Sequence, residues 1–144
     1  MLIALIGESC AGKSTIAALL KEPLSAAIYS GRDYLRLAKN EAEAETRFKA
    51  MLAAAVAGEK NMLYVISERA QLALLPPGTR RVHVTAPPAL IRERFAARMG
   101  GALPPPVERM LEARHGMFDG EPCALTIDSA AMTPEEAARA ILAL

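Results

Sequence analysis

The sequence predicts a three-layer α/β domain built on a parallel sheet. Short apolar runs alternate with helix-like segments along all 144 residues. The strongest runs are continuous rather than alternating, as strands covered on both faces are. The length is enough for one domain with a real core and too short for two.

Each element has its own justification. Residues 2–6, LIALI, form the first buried strand. A helix is expected from about Lys13 to Lys21, stopped near Pro23. AAIYS (26–30) is a second short strand, followed by a loop and short helix in GRDYLRLAKN. Asn40 and Glu43 read as a capping box for a helix to about Ala57, with Gly58 as its stop. NMLYVIS (61–67) is the third strand; a short helix at 69–75 breaks at the PPG of 76–78. RRVHVTA (80–86) is the fourth. A helix then starts at Pro87 or Pro88 and ends at Gly100-Gly101. GGALPPP (100–106) is a loop without a core pattern, and a helix follows it to about Met117. ALTID (124–128) is the fifth strand. The last helix has Thr133 as cap, Pro134 at its first position and Glu136 at its third.

Bulk properties exclude several classes. The chain is 52% apolar and 23% charged, with a formal net charge of +1, so neither nucleic acid nor an anionic membrane is expected as a partner. Aromatics are 4% of residues and tryptophan is absent, which argues against stacking on single strands. Cys10 and Cys123 make neither a disulfide framework nor a metal cluster. The opening MLIALI has no preceding basic residues and reads as a strand, not a signal peptide or membrane span. A cytoplasmic monomer is the expectation.

Chemistry concentrates in GESCAGKST, residues 7–15. Gly7, Gly12, Lys13 and Ser14 satisfy G-x-x-x-x-G-K-[ST], with a buried strand before the motif and a helix after it. Such a phosphate-binding loop, or P-loop, curls so that several N–H groups aim at one anion. The helix dipole adds positive potential at the same point. Gly7, Glu8, Ser9, Cys10, Ala11, Gly12, Lys13, Ser14 and Thr15 are therefore assigned to a nucleoside triphosphate, ATP. Lys13 reaches its outer phosphates, and Ser14 offers a hydroxyl to Mg²⁺. The Lys13 ammonium is expected to face solvent when no ligand is bound.

The aspartates are only three, Asp33, Asp119 and Asp128. Asp33 follows the second strand beside the crevice where α/β sheets bind ligands, and is the candidate base or clamp for an acceptor. The third strand ends in Ser67-Glu68 rather than aspartate, so Glu68 is the candidate to support the metal through a water. Between residues 92 and 114 every basic residue is arginine: Arg92, Arg94, Arg98, Arg109 and Arg114. Arg94 and Arg98, four apart, share a helix face leading into the Gly-Gly and triple-Pro loop. That pattern suits a small lid, about 99–118, which offsets charge on a transferring phosphoryl group. Arg36 and Arg69, at strand ends, are candidate clamps for an anionic acceptor, with Arg109 and Arg114 beside them. His83 sits within an alternating strand and reads as a packed core residue.

With these motifs in hand, the chain resembles the small P-loop kinases of the nucleoside monophosphate kinase and shikimate kinase group. YSGRDYLRLA is similar to the adenylate kinase segment in which a Gly-Asp pair precedes a hydrophobic residue, a Leu and an Arg. That likeness implies nucleotide-acceptor binding at Arg36, with Asp33 beside it. LIRERFAARM is similar to the helix before the lid, which implies ATP contacts at Arg94 and Arg98. ALTIDS and TPEEAARAI resemble the last strand and helix, whose connecting loop lies near the adenine. Where adenylate kinases carry Asp-Gly-Phe-Pro-Arg after the third strand, this chain has SERAQ, so only Arg69 corresponds. The resemblance implies a sheet order of 2-3-1-4-5 and one kinase domain over 1–144, with an acceptor region at about 31–60.

The sequence thus points to an ATP- and Mg²⁺-dependent kinase of a small molecule, with a nucleotide or nucleoside-like acceptor favoured through the Arg36 segment. A kinase of a small hydroxylated metabolite is the alternative. A nucleotide-binding module without transfer chemistry is the rival from another class.

Overall fold

The computed structural model describes residues 1–144. Five strands, β1 (Leu2–Ile6), β2 (Ala27–Ser30), β3 (Met62–Ile66), β4 (Arg80–Thr85) and β5 (Leu125–Asp128), form one sheet in the order β2-β3-β1-β4-β5. Every pair is parallel. This is the class that the sequence predicts and the order that the resemblance implies.

The continuous apolar strands take the centre. All five residues of β1 are buried, and they pair with Met62–Ile66 on one side and Arg80–His83 on the other. Helices cover both faces, and the two faces differ in chemistry. On one, α1 (Lys13–Leu24) and α5 (Pro134–Leu142) pack closely on Ile3, Leu5, Leu63 and Val65. Small residues, Ala17, Ala137 and Ala138, permit that approach.

On the other face, α2 (Glu41–Val56) buries Phe48 completely. The chain's three tyrosines gather round it, with Tyr29, Tyr34 and Tyr64 centroids at 5.2, 5.0 and 4.9 Å. The Tyr64 hydroxyl donates to the Gly31 carbonyl at 2.7 Å, and burial pushes its pKa upward. So the aromatic cluster also fixes the turn after β2.

Some boundaries differ from expectation. α1 does not stop at Pro23 but runs to Leu24, because proline in the last turn removes only one late backbone bond. It ends when Ser25 turns left-handed, its N–H donating to Glu22 and Lys21 carbonyls. Only half of the Asn40 box forms: Asn40 Oδ1 accepts from the Glu43 N–H, while the Glu43 carboxylate pairs with Arg47. At the other end of the chain the Thr133–Glu136 box is complete. After α3 (Pro88–Arg98), Gly100 and Gly101 both have positive φ and lead to α4 (Pro105–Arg114). α4 ends at Arg114 rather than Met117 because Gly116, at φ 76°, turns the chain away. No helix is long and apolar enough to cross a membrane.

Phe48→Ala is expected to cost about 3–5 kcal/mol of unfolding free energy, because it empties the centre of the aromatic cluster. Urea denaturation checks it; a loss below about 1 kcal/mol would contradict the packing described.

Candidate functional site

The site begins where β1 ends. Gly7 passes so close to Val84 that a Cβ there would strike the Val84 carbonyl. Its N–H still donates to the Ile66 carbonyl at 3.1 Å, continuing the ladder. The loop then curls. Cys10 is left-handed at φ 64°, and Gly12, at φ 108°, turns the chain into α1. The amides of Gly12, Lys13, Ser14 and Thr15 donate to no backbone carbonyl. They form a nest of free donors at a helix N-terminus, suited to phosphate.

Lys13 is not solvent-facing as the sequence suggested. It is buried, and its Nζ donates to the carbonyls of Gly7 and Glu8, both at 2.6 Å. The physical reason is local: the loop curls over the ammonium and offers it two backbone carbonyls. Burial lowers its pKa to about 8, opposed by the charges of Cys10 and Glu8 and reinforced by Arg98.

A cavity of about 440 Å³ opens over this loop and runs toward the start of α5. Its charged lining residues are Lys13, Arg94 and Arg98, and no carboxylate lines it. Ser14 and Thr15 sit on the rim at the start of α1, with Ser30 and Ser67 at the ends of β2 and β3. Apolar walls come from Ile16, Ile127, Met132 and Ala137.

Arg94 is held in place. Its Nη1 donates to the Cys10 carbonyl and to Ser129 Oγ, each at 3.0 Å. A Cβ on Gly12 would lie 3.8 Å from the same nitrogen. Arg94 therefore stands against the loop itself. Arg98, one turn on, is exposed and reaches the cavity without such restraints.

The other candidate residues, together with His115 and Asp128, lie outside the cavity. Asp33 is exposed at the start of a 3₁₀ turn, and its Oδ2 accepts from the Ser30 N–H at 3.0 Å. Arg36 lies over the Tyr29 ring, 4.9 Å from its centroid. Arg69 donates to the Met117 carbonyl and to Glu121, both at 2.6 Å. Glu68 accepts from Arg114 at 2.9 Å. Arg109 is exposed on α4. His115 Nδ1 lies 3.2 Å from Glu8 Oε1. Asp128 accepts from the Ala130 N–H in the turn after β5.

Sequence reasoning did not nominate Ser129, Ser30 or Ser67. Ser129 directly follows the last strand, so its position was a usable signal; the serines after β2 and β3 carried none beyond location.

No cluster of three or more His, Cys, Asp or Glu side chains exists to hold a metal. The oxygen donors on the cavity rim are hydroxyls, which suit a hard cation only when phosphates complete its shell.

The architecture can now be compared with solved structures. The fold is that of the small P-loop kinases. A sugar kinase from Janibacter sp. HTCC2649 superposes with TM-score 0.66 at 18% identity, over 99% of this chain and 92% of its own. The shikimate kinase of Acinetobacter baumannii, solved with shikimate, gives 0.66 at 20% identity over 98% and 90%. A gluconokinase from Sinorhizobium meliloti 1021 gives 0.62 at 18% over 98% and 89%. No protein-family model and no curated sequence matches the chain.

The buried lysine makes a pH prediction with a definite sign. Its folded pKa, about 8, lies below its ordinary value of 10.5, so between those values the unfolded chain holds more protons. Stability attributable to Lys13 therefore rises with pH. Measured by denaturation at pH 7.5 and 10, wild type should gain about 2 kcal/mol relative to Lys13→Met. No relative gain would mean the ammonium is not buried.

Proposed function

We propose that the protein transfers the γ-phosphoryl group of ATP–Mg²⁺ to a small-molecule acceptor. The observation that carries this reading is the nest of free amides beside Lys13, Arg94 and Arg98 in a cavity without carboxylates. The nest binds the phosphate chain, and Lys13 leaves the Gly7 and Glu8 carbonyls for the outer phosphates. Arg94 and Arg98 offset charge as the acceptor oxygen bonds to the γ-phosphorus and the bridge to ADP breaks. Magnesium, when bound, neutralises phosphate charge; the Ser14 hydroxyl is the protein group that would hold it, and Glu68 is the acid nominated to support it.

Two acceptor types make different demands. A nucleotide or nucleoside-like acceptor is supported by the Arg36 segment, with Asp33, Arg69, Arg109 and Arg114 as positioning groups. A hydroxylated metabolite is supported by Asp33, tied to Ser30 at the cavity rim and able to take the hydroxyl proton. In this reading the protein works as a cytoplasmic monomer, with no nucleic-acid or membrane partner.

ADP release across an acceptor panel tests the reading, and a nucleotide-binding module would show no acceptor-dependent release. Arg94→Ala should lower kcat by about 10²–10³-fold with the fold intact, as loss of one fixed electrostatic donor does. A change confined to KM would remove Arg94 from the transferring group. Asp33→Asn separates the acceptors. With a hydroxyl acceptor kcat falls about 10²–10⁴-fold; with a phosphate acceptor mainly affinity falls.

A further inference from the structure

Beyond the cavity, the crevice at the ends of β1 and β3 is crossed by the chain's own segment from Arg114 to Glu121. Its ties are specific. His115 meets Glu8 in the loop after β1 at 3.2 Å. Arg114 pairs with Glu68 after β3 at 2.9 Å, and Arg69 holds both the Met117 carbonyl and Glu121 at 2.6 Å. Between the ties, Phe118 is 1% exposed and belongs to the aromatic core with Tyr29, Tyr34, Phe48 and Tyr64. The segment is thus anchored through the core and not by surface pairs alone, which by themselves hold little.

This arrangement decides the charge that an acceptor meets. Two of the arginines that could clamp a phosphate, Arg69 and Arg114, already face carboxylates. In and around the strap stand two guanidiniums and four carboxylates, Glu8, Glu68, Asp119 and Glu121, and His115 adds at most one charge. Of the other nominated clamps, Arg36 lies on the Tyr29 ring, and Arg109 is exposed on α4 outside the cavity lining. Asp33, exposed outside the cavity and bonded to Ser30, adds a further negative charge nearby. At the strap itself an anionic acceptor finds no guanidinium free of a carboxylate, whereas a neutral or cationic one finds acceptors of hydrogen bonds.

We infer that the acceptor is a hydroxyl compound carrying no negative charge, such as a neutral polyol or an amino sugar, and that the strap enforces this by consuming Arg69 and Arg114. The inference rests on the phosphoryl-transfer reading for its chemistry, and its charge argument can be tested without turnover.

Matched acceptors supply the first arm: sugars, amino sugars and nucleosides against their own phosphate esters, each with ATP–Mg²⁺. The uncharged or cationic member should show the higher kcat/KM by about tenfold or more. A phosphate ester that is the better substrate overturns the inference. The second arm needs no reaction. Arginine side-chain NMR follows Arg69 and Arg114 while a nucleoside monophosphate is added with a non-hydrolysable ATP analogue. Both signals should stay fixed, and a saturable shift of Arg69 overturns the inference. In Glu121→Gln, which releases Arg69 while leaving Phe118 buried, the same titration should show a shift; silence there removes the ion pair as the cause. If no acceptor is turned over while both arginines stay silent in wild type, the transfer reading fails and the exclusion of anions stands.

Discussion

The structure depends on placing one lysine and a set of free amides at the edge of a buried strand. β1 is the central strand of the sheet and is buried along its whole length, so its end is firmly fixed. The Gly7 approach to Val84 joins the loop to β4, and the Gly7 N–H joins it to β3. From that point α1 departs with its unsatisfied donors facing outward. The energetic consequence is a concentration of positive potential that the protein alone does not neutralise. Lys13 takes up two carbonyls of its own loop, and its lowered pKa records the cost of that burial. An arriving phosphate replaces carbonyl oxygens with charged ones, so ligand binding and lysine protonation favour each other.

The two faces of the sheet divide the labour. Alanine-rich packing lets α1 and α5 lie close, and the apolar walls of the cavity, Ile16 and Ala137, come from these two helices. The aromatic face supports the other half of the crevice. There Phe48 and the tyrosines fix the turn after β2 through the Tyr64–Gly31 bond, and they receive Phe118 from the segment after α4. A rigid donor side and a strapped second side follow from which residues each face can bury.

Much of this was legible in the sequence, because it rests on local rules. Continuous apolar runs mark β1 and β3, alternation marks β4, and the glycine spacing marks the loop. Thr133 and Glu136 gave the last helix, since a capping box needs only residues three apart. What could not be read depends on contacts across long separations. Nothing near Arg69 announces that Met117 and Glu121, about fifty positions later, will occupy it. The direction of Lys13 is hidden for another reason: a lysine in a phosphate loop can bond either a phosphate or the loop's own carbonyls, and the motif does not distinguish them. Pro23 does not stop α1 where it stands, because proline breaks helix interiors and Pro23 lies in the last turn.

Arg94 and Arg98 illustrate why spacing alone does not rank residues. Both lie on one face of α3, and both line the cavity. Arg94 is bonded to the Cys10 carbonyl and to Ser129 before any ligand arrives, so its charge acts from a fixed place with little further loss of side-chain entropy. Arg98 is exposed and must be ordered when it engages a phosphate, which reduces its net contribution by that entropy. The bond from Arg94 to the loop also joins α3 to the phosphate site, while Ser129 joins it to β5. One guanidinium thereby ties together three elements that the sequence separates by more than a hundred residues. The fixed charge of Arg94 beside Gly12 is therefore the electrostatic partner of the free amides, and Arg98 is the adjustable one.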